Sequence, residues 1–232
     1  MPSVIQWPRG AKAQETSDAF GEISGFLNVL WAVNGSHIPI KAPRENPNAY
    51  YDRKKFHSVV LLATCDANLQ FTYVWTANPG SNHDASVLRS SELFVKLDDL
   101  FHPGFYLLGD SAFPLLGWLV IPFRDLSNLT RGQRLFNVCH SKIRQVIERG
   151  LVRFRRLLRF DACDMNLIVK TILSACVLHN ICIKMNVENF NLFDDDNTDN
   201  HACDNAESRP SGYQMNGVRL RNDIMQHLVQ LN

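Results

Sequence analysis

The chain has 232 residues, 45% of them hydrophobic and 20% charged, which is enough for one sizeable core. Its net charge of +1 excludes a global basic field, so any nucleic-acid surface must be local. Six cysteines with no CxxC pair, several in apolar runs, read as free buried thiols in a reducing compartment.

The segment Trp7-Pro8-Arg9-Gly10 is polar and turn-like, so no signal peptide is expected. The apolar run 115–123 falls short of a membrane span, and no membrane partner is expected. Residues 1–25 read as a mixed, polar lead-in. Residues 26–33 are an apolar run broken by the turn-forming pair Asn34-Gly35, and 43–55 are a polar loop with two prolines. Residues 56–65 and 69–76 predict two strands joined by a turn at Asp66-Ala67-Asn68. A tight loop at 78–83 leads into a helix over 84–94, and 106–108 and 118–121 predict short strands. From 137 to about 160 the pattern is helical and strongly basic. Residues 165–185 form a second helix, apolar on most faces and therefore expected to be buried. The stretch 186–232 reads as an acidic, disordered tail with a weak C-terminal helix. Strands first, with helices inserted and following, predict one α/β domain with a mixed sheet over 26–185.

Four polar residues sit where strands or helices end. They are Asn34 in Val33-Asn34-Gly35-Ser36-His37-Ile38, Asp84 in Pro79-Gly-Ser-Asn-His-Asp84, Asp110 in Gly109-Asp-Ser-Ala-Phe-Pro114, and Glu148 in Arg144-Gln-Val-Ile-Glu-Arg149. Each alone has an ordinary explanation: a turn, an N-cap, a strand exit or a solvated ion pair. Together with Tyr51-Asp-Arg-Lys-Lys-Phe-His57, Asn137, His140 and Leu178-His-Asn180, these ordered strings resemble the Harbinger transposase-derived nucleases. That family of DDE transposases is also called PIF/Harbinger, and the resemblance runs from about residue 26 to about residue 183.

The resemblance implies an RNase H-like fold with carboxylates converging from strand ends and a following helix. Such a site cuts phosphodiesters with two divalent cations, Mg²⁺ or Mn²⁺, that clamp the attacking and leaving oxygens. By motif, Asn34 takes the first aspartate position, Asp84 the second, Glu148 the helical glutamate, and Asp110 a further acidic position. The implied metal set is Asn34, Asp84, Asp110 and Glu148, with catalysis assigned to Asp84, Glu148 and Asp110. Arg144, Arg149, His83 and His37 are the implied substrate-binding residues.

Two departures bear on activity. The family has Asp where this chain has Asn34, which removes a charge from the metal set. After Glu148 the chain lacks about four residues of the family helix, which implies a shortened helix. Family members also carry a further N-terminal region with helix-turn-helix character that this sequence does not contain, so site-specific DNA reading is not expected of it.

Between Arg131 and Arg159 stand eight arginines and one lysine against a single acid, Glu148, which predicts a phosphate-tracking surface. His37, His57, His83 and His140 fit no zinc spacing and read as hydrogen-bonding residues around the site. The reading is a metal-dependent DNA endonuclease, impaired at Asn34, acting in the nucleus, with DNA and a Myb-like DNA-binding protein as partners. The alternative is a non-catalytic, domesticated derivative that serves as a DNA- or protein-binding module.

Overall fold

The computed structural model describes residues 4–95, 104–125, 127–155, 163–185 and 212–231. Five strands, β1 Val29–Pro39, β2 Ser58–Cys65, β3 Phe71–Pro79, β4 Tyr106–Leu108 and β5 Leu119–Val120, form one sheet in the order β3-β2-β1-β4-β5. The first three pair antiparallel, while β4 and β5 add parallel on the far side of β1. The described helices are α1 Ala11–Ser24, α2 Pro47–Tyr50, α3 Asp84–Ser90, α4 Glu92–Val95, α5 Arg131–Arg155, α6 Met165–Lys184 and α7 Gly212–Leu231. The fold is α/β with a mixed sheet flanked by helices, as the order of the predicted elements implies.

Each face of the sheet has its own core. One gathers Phe20 of α1, Phe136 and Ile143 of α5, Ile172 of α6 and Leu228 of α7 over Ala32, Ile38 and Leu61. The other packs Val87, Leu88 and Leu93 of α3 and α4 over Trp31, Val33 and Leu62. Because both faces are covered, β2 is buried along its whole length and reads as a continuous apolar run rather than an alternation.

Local chemistry departs from the sequence reading at several points. Asn34-Gly35 is no turn: β1 runs through it, and the two residues pair with Ala63 and Leu62 of β2. The buried strand formers on either side, Trp31 to Val33 and Ile38, hold the pair in the ladder against its turn preference. The helix expected over 84–94 breaks at Ser91, which is extended (φ −81°, ψ 152°). There the Ser90 and Ser91 hydroxyls donate to the carbonyls of Val87 and Leu88, capturing acceptors a continuing helix would use. Residues 11–24 of the lead-in are helical, and α5 begins at Arg131 rather than near 137. Past Glu148, α5 continues to Arg155; its end, and the acidic stretch 186–211, lie outside the described residues. The C-terminal helix is longer than its weak periodicity suggests and covers Gly212–Leu231.

By length and composition α6 could cross a membrane, a property the sequence reading gave to no segment. In this fold it lays one face, Ile168, Ile172, Cys176 and His179, into the core, while Leu167 and Leu178 on the other face are exposed. The burial expected all round is therefore confined to one side. Its start is capped by the Asp164 carboxylate, which accepts from the Asn166 and Leu167 N–H groups. Its C-terminal half is fixed by the pair His179-Asn180. The Asn180 amide accepts from the Phe71 N–H (2.8 Å) and donates to the Phe71 carbonyl (2.7 Å), which closes the end of the β2–β3 hairpin. The His179 ring stacks on Phe71, and its Nε2 lies 2.9 Å from the Leu69 carbonyl oxygen.

This clamp sets a measurable stability. Asn180→Ala leaves a buried N–H and carbonyl of Phe71 unpaired, and the expected loss is roughly 2–4 kcal/mol in urea denaturation. A loss below about 0.5 kcal/mol would show that the motif does not hold α6 to the sheet.

Candidate active site

The site lies at the middle of β1, where the antiparallel and parallel halves of the sheet meet. Alternation along β1 puts the Asn34 side chain on the face that α5 covers, with Ala32 and Ile38. The parallel register ends at Ala32↔Leu108, and extending it by two residues brings Asn34 and Asp110 opposite each other just beyond the end of β4. Asp110 is buried, and its Oδ1 accepts from the Ala112 N–H at 2.8 Å, which fixes one edge of the carboxylate.

Asp84 reaches the same place from the opposite face. It opens α3 in the first turn, where a negative charge suits the helix end. Its carboxylate packs directly on Gly35: a Cβ at position 35 would lie 2.3 Å from Asp84 Oδ1. Glycine is required there by this approach, not by a turn. Burial, reinforced by the charge of Asp110 and partly offset by Arg53, pushes the Asp84 carboxyl up to about 7.

Glu148 comes from α5. Four residues of the sequence pattern, Asn137, His140, Arg144 and Glu148, fall at spacings of three and four and therefore share one stripe of this helix. Three of the four dock the helix. The Asn137 amide accepts from the Phe123 N–H and donates to the Phe123 carbonyl, each at 2.8 Å. His140 is fully buried against the Gly109 and Val120 carbonyls. Its basicity is pushed down to about 3, mainly by burial and then by the charge of Arg144. Arg144 Nη2 hydrogen-bonds Glu148 and stands 4.0 Å from Asp110 Oδ2, so its guanidinium bridges the two carboxylates. Its Nε is buried without a hydrogen-bond partner among the described residues.

The implied substrate-binding residues are distributed around this centre. His37 follows Gly35 by two residues and is held from behind. The Ser58 hydroxyl donates to Asp52 Oδ2 (2.9 Å), which leaves its oxygen to face His37 Nδ1 at 3.0 Å. That arrangement makes His37 Nδ1 the donor toward Ser58, with Asp52 Oδ2 3.5 Å away. His83 precedes Asp84, and Arg53 Nη2 donates to its Nδ1 at 2.7 Å. Arg149 is exposed beside Glu148, with Nε donating to the Gln145 carbonyl. Arg144 points inward to the carboxylates rather than outward. Sequence reasoning missed Arg53, the cation that faces both His83 and Asp84. Its signal was present in the string Tyr51-Asp-Arg-Lys-Lys-Phe-His57, but not the fold that brings it to Asp84.

A mixed sheet with Asn34 on its central strand, Asp110 at a neighbouring parallel strand end and Glu148 on a following helix has the arrangement of an RNase H-like fold. Residues 33–180 match the family described as DDE superfamily endonuclease. The chain belongs to that family, among the Harbinger transposase-derived nucleases. It is 33% identical over 184 residues to the Homo sapiens protein named "Putative nuclease HARBI1", covering 75% of this chain and 51% of the human protein. It is 29% identical over 201 residues to "Protein ALP1-like" of Arabidopsis thaliana, covering 78% of this chain and 49% of that protein. The chain thus spans about half the length of the curated relatives it matches. No solved structure matches it.

The Asp84 environment has a definite pH signature. A carboxyl raised to about 7 in the fold, against 3.8 unfolded, costs nothing below pH 4, costs more as pH rises, and reaches its full cost above pH 7. Asp84→Asn removes that cost. The variant is expected to gain roughly 1–2 kcal/mol over wild type at pH 8, after solvent screening, and almost nothing at pH 4. A stability difference that stays flat across this range would contradict the buried, repelled carboxyl.

Proposed function

We propose that the chain is a DNA-binding member of its nuclease family in which divalent-metal-dependent phosphodiester cleavage is impaired. The single observation that carries this reading is a guanidinium between Asp110 and Glu148, next to a strand whose site position is the neutral Asn34.

In a DDE site a divalent cation supplies Lewis-acid stabilisation of both oxygens in an in-line displacement, and it asks for several carboxylate oxygens. The residues as placed do not fit such an ion. Among the described residues no three of His, Cys, Asp and Glu stand together as a metal set. Asn34 offers a neutral oxygen, and the positive charge that a metal would bring to the two carboxylates is already supplied by Arg144. Within the reading, Asp110 takes over from Asp84 the second aspartate position that the motifs implied, because Asp84 reaches β1 across Gly35 from the other face; Asn34 remains the first position and Glu148 the helical one. His37, His83, Arg53 and Arg149 surround this centre as donors for phosphate oxygens.

The proposal extends to Mg²⁺ or Mn²⁺ as the ion of any residual activity and to the nucleus as the place of action. It also includes a Myb-like DNA-binding protein as the source of sequence recognition. The second reading, a non-catalytic module that binds DNA or protein, is favoured by the same observation, because a site already neutralised needs no ion to be stable.

Nicking of supercoiled plasmid in Mn²⁺ tests the proposal. Wild type is expected near background. Asn34→Asp should raise cleavage at least about tenfold, the scale of one recovered charge–metal contact, and a further Asp110→Ala should abolish the gain. Robust wild-type cleavage lost on Asp110→Ala would overturn the impairment. A silent Asn34→Asp that still binds DNA would favour the non-catalytic module.

A further inference from the structure

The outward side of α5 is distinct from the stripe that faces the site. Arg131, Arg134, Lys142, Arg149 and Arg153 are all exposed. At 3.6 residues per turn they fall within about 100° of arc, so they form one straight row. The row is about 33 Å long at roughly 1.5 Å per residue, close to one turn of B-form DNA at about 34–36 Å. The remaining exposed positions of the helix between Arg131 and Arg153 are Val138, Ser141, Gln145 and Val152. Among the described residues no carboxylate pairs with these five cations, because the helix's one acid, Glu148, is engaged by Arg144. In a chain of net charge +1, five cations on one helix face are a local field.

Two features of the row choose its partner. It carries no aromatic side chain, and single-stranded nucleic acid is gripped chiefly by stacking bases on aromatics. It is rigid and straight, which suits the regular phosphates of a duplex laid along it. Arg149 also adjoins Glu148, so the row passes the carboxylate centre near its C-terminal end and runs from there back to Arg131.

We propose that this face of α5 holds about one turn of double-stranded DNA flanking the carboxylate centre, through phosphates alone and without regard to sequence. The inference rests on the reading that the chain acts on DNA, and it adds the form of the nucleic acid and the surface that holds it.

The experiment uses the full chain and fluorescence anisotropy with two 30-base-pair duplexes of unrelated sequence. Wild type should bind both alike, and affinity should fall steeply with salt. The variant Arg131→Gln, Lys142→Gln, Arg153→Gln changes only exposed positions. It should bind at least about tenfold more weakly, with the slope of log affinity against log salt reduced by about three, near 0.9 per phosphate contact. The single Lys142→Gln should reduce that slope by about one and serves if the triple variant does not fold. Unchanged affinity and slope in a folded variant, with wild type still binding, overturns this surface alone. Failure of wild type to bind any duplex overturns this surface and the DNA reading together. An equal or larger loss on a single-stranded oligonucleotide, or on phosphatidylserine vesicles, overturns the duplex assignment.

Discussion

Asp110 and Glu148 converge beside the middle of one strand, and the guanidinium of Arg144 stands between them as a shared counter-charge. Removing acids from water beside one another is costly unless a cation compensates them. In a metal-dependent nuclease that cation is the ion itself. Here Asp110 and Glu148 already share an internal one, and the position beside Asp110 has lost its own charge to become Asn34. Asp84, with no cation in hydrogen-bonding contact among the described residues, answers in the other way available to a buried acid and holds its proton up to about 7.

The rest of the architecture serves that arrangement. The parallel addition of β4 beside β1 is what puts Asp110 next to Asn34. Gly35 leaves the gap through which Asp84 touches the strand from the other face. The helix α5 is pinned by Asn137 to the Phe123 backbone and by His140 beneath Gly109, which sets the rotation that brings Arg144 and Glu148 inward. The same rotation turns Arg131, Lys142, Arg149 and Arg153 to the outside. One helix therefore divides its charges: an inner stripe that neutralises the carboxylates and an outer row free to meet phosphates.

Much of this was legible in the sequence, and the exceptions have physical reasons. The two-strand hairpin around Asp66, the short strand before Asp110 and the apolar α6 follow from local patterns. The strings around Asn34, Asp84, Asp110 and Glu148 marked the right neighbourhood because their order resembles a family. What local patterns could not give was contact at a distance. Asn34-Gly35 looks like a turn until β2 pairs along it. Arg53 looks like a loop cation until the fold carries it to Asp84. Arg144 reads as a substrate-binding cation until β4 ends opposite it and turns it to the carboxylates. The exposed side of α6 was misread because apolar composition does not say which face meets the sheet.

The charge compensation at the centre can be measured without cleavage. Mn²⁺ binding to the full chain, followed by the loss of the free-ion paramagnetic resonance signal, should be weak in wild type. Arg144→Met, which removes the internal cation and keeps the length of the side chain, should tighten binding by about tenfold or more, the effect of some 1.4 kcal/mol. Tight binding by wild type that weakens in Arg144→Met would contradict the compensation and make Arg144 a support of the metal site rather than its substitute.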